Sequence, residues 1–428
     1  MMPARIVFYG LFGEQNHGNE CTLQALLLNL RTRLPGAQIV CVCADPADVS
    51  ARHGIPGVLM SRSALKEKRD QDARGQSTWF LYRSRKLLRR ISSEISDLRR
   101  AWVTLKRSHL FVIAGTGVLE DTGWSAVWYY DLLKWCVISR LRGCRICFVS
   151  VGMGPIRRPF SRLLTKLALR LADYVSYRDT GSQRFGESIS LDTSAHHLFP
   201  DLAFSLPIRE LPVTEGTAPG HLVVGVGVMD YYGPQDAPKQ DDLHELYVER
   251  TCRFILWLVG QGHHVRMLYG DARYDPPILA EVLRRIEEQG GHSAMSRIET
   301  VTLNGVASLL SAISTTDIVV SPRYHNLVLA LVLGKPAISL SYHPKNDDLL
   351  SDFGLRSFSQ PLEHFDVDLL IRQFETLVAT KDSHVVEIRR RVAACRRQLD
   401  RQYELLLRVQ SSPTLDHPVA AVEARSQP

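Results

Sequence analysis

Read from its amino terminus, the chain alternates short continuous apolar runs with longer stretches whose apolar residues recur every three or four positions. The first run, Ile6–Tyr9, predicts a strand and leads into a turn with Gly10 and Gly13. Leu23, Leu26, Leu27 and Leu30 then share one helical face across 22–34, and Pro35-Gly36 ends the pattern. A second strand is predicted at Ile39–Ala44. Strand, helix and strand in that order open a parallel sheet with helices on both faces.

The alternation continues. Strands are predicted at Leu110–Ala114, Arg145–Val151 and Tyr174–Tyr177, with helices over 81–98, 124–141 and 160–172. In the last of these, Leu163, Leu164, Leu167 and Leu171 fall on one face and Arg162, Lys166 and Arg170 on the other. Residues 207–220 hold three prolines and two glycines among few apolar side chains, the composition of a linker. Beyond it, strands are predicted at 222–228, 265–269, 318–320 and 337–340. Helices are expected over 243–259, 277–289, 305–314, 327–333, 365–379 and 384–409. The expected fold is α/β, two doubly wound Rossmann-like domains facing a cleft at the carboxyl ends of their strands. The division is 1–206, a linker at 207–220, 221–410 and a disordered tail at 411–428, with a basic helical insertion at 62–109.

Composition adds boundaries. With 428 residues, 45% hydrophobic and 23% charged, the chain is neither disordered nor a small disulfide scaffold. The net charge of +7 is concentrated: Arg62–Arg107 carries 14 Lys/Arg against five Asp/Glu, and the remainder is close to neutral. Such a segment suits phosphates, nucleic acid or an anionic membrane. Trp79, Phe80, Tyr82 and Trp102 interleave with its arginines, but no nucleic-acid motif accompanies them, and no nucleic acid is expected. Most of the eight cysteines sit in apolar runs, and Cys144-x-x-Cys147 reads as a packed structural pair. Ile6–Tyr9 follows only Arg5 and runs into a glycine turn, unlike a signal peptide, and no run reaches the ~18 apolar residues of a membrane span. A cytoplasmic protein is expected, peripheral on the inner membrane face if 62–109 engages anionic lipid.

The stretch Ser321-Pro-Arg323-Tyr324-His325-Asn326 carries the most chemistry. It lies between the strand 318–320 and the apolar helix 327–333, where a helix start offers unpaired N–H groups and positive partial charge. Arg323 supplies a planar fork for a carboxylate or phosphate, and His325 can deliver a proton near neutral pH. An arginine paired with a local aspartate and a histidine satisfied by backbone is the plainer alternative. Lys345, leaving the strand 337–340, is either a second phosphate contact or a solvated cation. Three further strand ends carry glycine turns: Gly10 and Gly13 with Asn16-His-Gly-Asn19-Glu20, Gly115-Thr-Gly117, and Gly152-Met-Gly154. None completes a dinucleotide fingerprint. Glu20 and Glu120 are the acids near these turns. Arg178-Asp179 ends the strand 174–177, as an ion pair or helix cap, or as a ligand for an anion. His196-His197, His263-His264 and His343 lack companions at metal-ligand spacing, so no metal is assigned.

In order along residues 5–355, these motifs resemble the polysaccharide pyruvyl transferase family. They are Asn-x-Gly-x-Glu, the glycine turn after Phe111–Ala114, Val-Gly-Met-Gly-Pro-Ile at 151–156, Tyr-Arg-Asp at 177–179, Ser-x-Arg-Tyr-His at 321–325, and Gly-Lys-Pro…Ser-Tyr-His-Pro-Lys at 334–345. The resemblance implies a GT-B-like fold and transfer of pyruvate from phosphoenolpyruvate to sugar hydroxyls as a ketal. The acceptor would be a polysaccharide or its lipid-linked precursor, and no cofactor is needed. It implies catalysis by Arg323 and His325; on chemical grounds His325 is expected as general acid, with Glu20 or Asp179 as candidate base. Substrate contacts would come from Arg178, Lys345, Tyr324, Asn326, Gly115, Gly117, Gly152, Gly154, Asn16, Asn19 and Glu20. The amino-terminal domain would hold the acceptor and the carboxy-terminal domain phosphoenolpyruvate. Asn19 stands where the family often has Asp, and Ala114-Gly-Thr-Gly117 replaces a fuller glycine run, so the acceptor side departs most. A GT-B glycosyltransferase using a nucleotide sugar and a non-catalytic binding protein of the same fold are the competing readings.

Overall fold

The structure is a computed structural model that describes residues 4–61, 83–120, 126–207, 221–234 and 238–411, with the backbone alone over 83–91. The predicted linker after Pro207, the basic segment before Arg83 and the tail after Ser411 lie outside the described residues.

Two parallel sheets organise the chain. The first has seven strands: β1 (Arg5–Tyr9), β2 (Gln38–Cys43), β3 (Gly57–Leu59), β4 (Leu110–Ala114), β5 (Arg145–Val151), β6 (Tyr174–Tyr177) and β7 (His197–Leu198), in the spatial order 3-2-1-4-5-6-7. The second has six: β8 (Val223–Val228), β9 (His264–Tyr269), β10 (Ile298–Thr300), β11 (Ile318–Ser321), β12 (Ala337–Ser341) and β13 (Ser359–Pro361), in the order 10-9-8-11-12-13. In each the order reverses beside the first strand, between β1 and β4 and between β8 and β11. Such a reversal parts the loops at the carboxyl ends and leaves a crevice there. Strands buried on both faces need apolar side chains at nearly every position, and β1, β4 and β11 meet that demand.

The chain forms two compact units. The first comprises the described residues of Met1–Glu14, Leu26–Asp201 and Asp400–Pro428, and the second Gln15–Ala25 with Leu202–Leu399. Helix α1 (His17–Arg33) therefore starts in one unit and ends in the other. It begins five residues before the apolar periodicity does, because Asn16 caps it: Asn16 Oδ1 accepts from the N–H groups of Gly18 (3.1 Å) and Asn19 (3.2 Å).

In the first unit the helices after β1 are α2 (Pro46–His53), α3 (Arg83–Thr104), α4 (Ala126–Leu141), α5 (Pro159–Arg170) and α6 (Thr180–Ser188). Trp135 of α4 stacks on Phe111 of β4 at 6.1 Å, and Tyr9 meets the edge of Phe111 at 5.8 Å. Beneath them lies a buried polar group. Tyr9 donates to Asp131 Oδ2 at 3.2 Å, and Lys134 Nζ lies 2.8 Å from Asp131 Oδ1. Burial raises the Asp131 carboxyl to about 6 even though Lys134 opposes the shift. Cys144 and Cys147 are buried thiols, and burial pushes Cys144 up to about 12, which leaves it inert. Gln402, fully buried, joins Ser176 Oγ (2.7 Å) and Ser150 Oγ (3.0 Å) on the central strands. The amphipathic reading of 160–172 is corrected in one respect. Leu164 and Leu169 face the core, whereas Leu163 and Leu167 are exposed.

The second unit has α7 (Asp241–Gly260), α8 (Pro276–Met295, kinked at Gly291), α9 (Val306–Ser314), α10 (Tyr324–Val332), α11 (Pro344–Asp352), α12 (Val367–Ala379) and α13 (Lys381–Ser411), the last continuing into the first unit. No described helix is long and apolar enough to cross a membrane.

Candidate active site

In the second unit, the turns after β9 and β11 and the start of α1 come together. Arg323 ends the β11–α10 turn with extended backbone, and its N–H donates to Ser321 Oγ at 3.1 Å. Its guanidinium grips Asp275 along one edge, Nε to Oδ2 at 3.0 Å and Nη2 to Oδ1. Asp275 is fully buried and also accepts the backbone N–H groups of Asp230, Gly270 and Asp271. That carboxylate is thereby fixed, and it fixes the plane of the arginine. Burial alone would lower the affinity of Arg323 for its proton, but Asp275 outweighs burial and holds it above the ordinary value. Nη1 makes no hydrogen bond among the described residues, and the Arg323 side chain is 19% exposed.

His325 follows at the second position of α10. Its imidazole lies against the backbone of Gly18 in the first turn of α1. A Cβ on Gly18 would fall 2.5 Å from Cγ and 2.7 Å from Cε1 of the ring, closer still to Nδ1. Only glycine leaves room for this approach. The start of α1 is tied to the β9 turn by Asn16 Nδ2 to Asp271 Oδ2 (3.1 Å) and by His17 N–H to the Gly270 carbonyl (2.9 Å). Burial raises the Asp271 carboxyl, with Arg323 opposing. Two helix starts, α1 and α10, thus converge on one imidazole, and both contribute positive partial charge.

Tyr324 packs edge-on to His325 at 5.2 Å. Lys345, in the first turn of α11, places Nζ 5.8 Å from the Tyr324 ring centre and 5.7 Å from that of Tyr342. His343 caps α11 by accepting from the Lys345 N–H at 3.2 Å. Of the residues singled out above, the structure therefore gathers Arg323, Tyr324, His325, Lys345, Asn16 and Asn19 within one unit. Glu20 is buried in the same first turn of α1. Asn326, counted above as a substrate contact, is fully buried and donates to Ser321 Oγ at 3.3 Å, so its place is inside the turn.

The remaining candidates lie in the first unit. Arg178, with a side chain only 3% exposed, contacts Glu120 (2.6 Å), Asp179 (3.6 Å) and Asp201 (3.6 Å). Its guanidinium covers Gly152, where a Cβ would lie 2.6 Å from Cζ. Asp179 caps α6 by accepting from Ser182 N–H at 2.6 Å. Gly115 lies against the Ser150 carbonyl, and Gly117 and Gly154 turn the chain at φ +72° and +83°. The arrangement around Arg178 is the ion pair and helix cap that the plainer sequence reading describes.

Four contributing residues have weaker signals. Gly18 lies inside the Asn-x-Gly-x-Glu motif, where nothing in the sequence gives it a role of its own. Gly270-Asp271 directly follows the strand run 265–269, and Asp275 precedes two prolines that open α8, both marks of a strand-end turn. Nothing in the sequence pairs Asp275 with Arg323, 48 residues away.

A family model described as polysaccharide pyruvyl transferase matches residues 16–344. No curated protein matches the chain in sequence. Among solved structures, the UDP-GlcNAc 2-epimerase of Neisseria meningitidis bound to UDP-GlcNAc superposes with a TM-score of 0.55 at 11% identity, over 95% of this chain and 100% of that one. The Anabaena protein HepE in complex with UDP gives 0.56 at 12% identity, over 94% and 99%. The amino-terminal domain of trehalose-6-phosphate phosphatase from Candida albicans gives 0.58 at 10%, over 96% and 98%. At these identities the likeness is one of fold, and the fold is GT-B-like.

Proposed function

The chain belongs to the polysaccharide pyruvyl transferase family, and on that premise we propose that it transfers a pyruvyl group from phosphoenolpyruvate to sugar hydroxyls of a polysaccharide or its lipid-linked precursor. The observation that carries this reading is the grouping of Arg323, His325 and Lys345 at converging helix starts in the second unit. Phosphoenolpyruvate presents a phosphate and a carboxylate. The Nη1 edge of Arg323, oriented by Asp275, suits bidentate binding of one of them, and Lys345 suits a point contact with the other. N–H groups at the start of α10 add donors without added charge.

In the reaction, His325 gives a proton to the methylene carbon of the enol, and positive charge develops at C2. A sugar hydroxyl bonds to C2, the C2–O bond to phosphate breaks, and a neighbouring hydroxyl closes the ketal on the same carbon. One phosphate leaves, and the glycan gains a carboxylate. An imidazole held rigidly against Gly18 is suited to proton delivery because misplacement by an ångström costs orders of magnitude in rate. Glu20, buried in the first turn of α1, remains the candidate for accepting the hydroxyl proton.

The test is phosphate release from phosphoenolpyruvate in the presence of candidate glycans. Release that requires an acceptor, and that is lost in Arg323→Ala and His325→Ala, is the expected result. Consumption of a nucleotide sugar, with phosphoenolpyruvate untouched, overturns the proposal.

A further inference from the structure

The first unit carries a second surface that the reaction does not use. Its helix α5 turns Phe160, Leu163 and Leu167 outward, 59%, 50% and 38% exposed, at a spacing that forms one stripe. On α4, which packs against α5, Tyr130, Val137 and Leu141 form a second exposed stripe. On α3, which also packs against α4, Ile95, Leu98 and Trp102 form a third. Ten of the fifteen exposed large apolar side chains among the described residues lie on these three helices. The Arg142 guanidinium lies 4.6 Å above the Trp102 ring and joins the end of α4 to α3.

Charge tells what this face fits. Residues 155–172 contain Arg157, Arg158, Arg162, Lys166 and Arg170 and no acidic residue. Arg162, Lys166 and Arg170 run alongside the apolar stripe of α5, and the basic run Arg62–Arg107 ends within and just beyond α3. Apolar stripes flanked by long cationic side chains match the boundary between acyl chains and anionic headgroups, since the stems add apolar contact while the charges stay at the headgroups. We propose that the outer face of α3, α4 and α5 docks on an anionic lipid bilayer. The contact is peripheral, because no described helix spans a membrane. This surface does not depend on the reaction assigned above. It also extends the expectation of a contact through 62–109, since α4 and α5 supply most of the described stripes.

The full chain is sedimented with vesicles of phosphatidylcholine, with and without phosphatidylglycerol. Binding should require phosphatidylglycerol and weaken as salt is raised. Arg157→Ala, Arg158→Ala and Arg170→Ala together should lower partitioning roughly 100-fold, at about fivefold per charge. Phe160→Ser, Leu163→Ser and Leu167→Ser together should abolish binding while the melting temperature stays that of the parent. Parent-like binding by the serine variant overturns the proposal, as does equal binding to vesicles lacking phosphatidylglycerol. Conversion of a lipid-free dimer to a monomer by the serine changes, with lipid binding intact, would assign the face to a second copy of the chain instead.

Discussion

Replacing Gly18 by alanine tests the close approach of His325 to α1 without removing the imidazole. The added Cβ would stand 2.5–2.7 Å from ring carbons of His325, where carbon contacts need about 3.5 Å. The imidazole, or the start of α1, must therefore retreat by about 1 Å, and a displacement of that size lowers kcat by about 100-fold when the ring delivers the proton. Stability should fall by about 1–3 kcal/mol, because the buried Cβ overpacks the site, with the better helix propensity of alanine offsetting up to about 1 kcal/mol of that. Initial rates of phosphate release and thermal melts on the same preparation read both effects. The double variant supplies the control: with His325→Ala the space is already empty, so Gly18→Ala should add no further loss. If Gly18→Ala keeps parent-like kcat, or if the two losses multiply, the close approach of ring to helix has no part in proton delivery.

Two more outcomes follow from buried charges. Asp275→Asn removes the partner that orients Arg323 and should destabilise the chain by about 3–5 kcal/mol while raising KM for phosphoenolpyruvate; unchanged urea midpoint and KM would show that Arg323 needs no anchor. Asp131 has a carboxyl raised from 3.8 to about 6, so between those values the folded chain binds more protons than the unfolded chain. Stability contributed there must fall as pH rises through that window, by about 3 kcal/mol in all, and Asp131→Asn should lack the fall. Parallel urea-stability curves for the two proteins across that range would refute the burial penalty.

The central strands were legible from sequence because burial on both faces forces continuous apolar runs, as in Ile6–Tyr9 and Leu110–Ala114. Among the described residues, every strand without a predicted apolar run is a sheet edge: β3, β7, β10 and β13. Edge strands are short and one-sided, so Ser359–Pro361 and His197–Leu198 carry no apolar run to find. The same limit applies to the site. Arg323 and His325 announce themselves as a cation and an imidazole at a strand-to-helix turn. Their supports do not, because Asp275 and Gly18 act through three-dimensional proximity and leave only weak turn signals in the chain. Asn16 was noticed as part of a motif, but its role as the cap of α1 depends on where the helix begins, which apolar spacing placed at 22.

Gln402 gives the first unit an unusual dependence on the order of translation. Its amide satisfies Ser150 and Ser176 on central strands, yet it belongs to the last helix, some 226 residues after Ser176. A ribosome must deliver the chain through Gln402 before those hydroxyls find their partner. A fragment ending at Asp201 should therefore be a poor stand-in for the unit, and carboxy-terminal fusions or deletions reaching α13 would disturb strands laid down first.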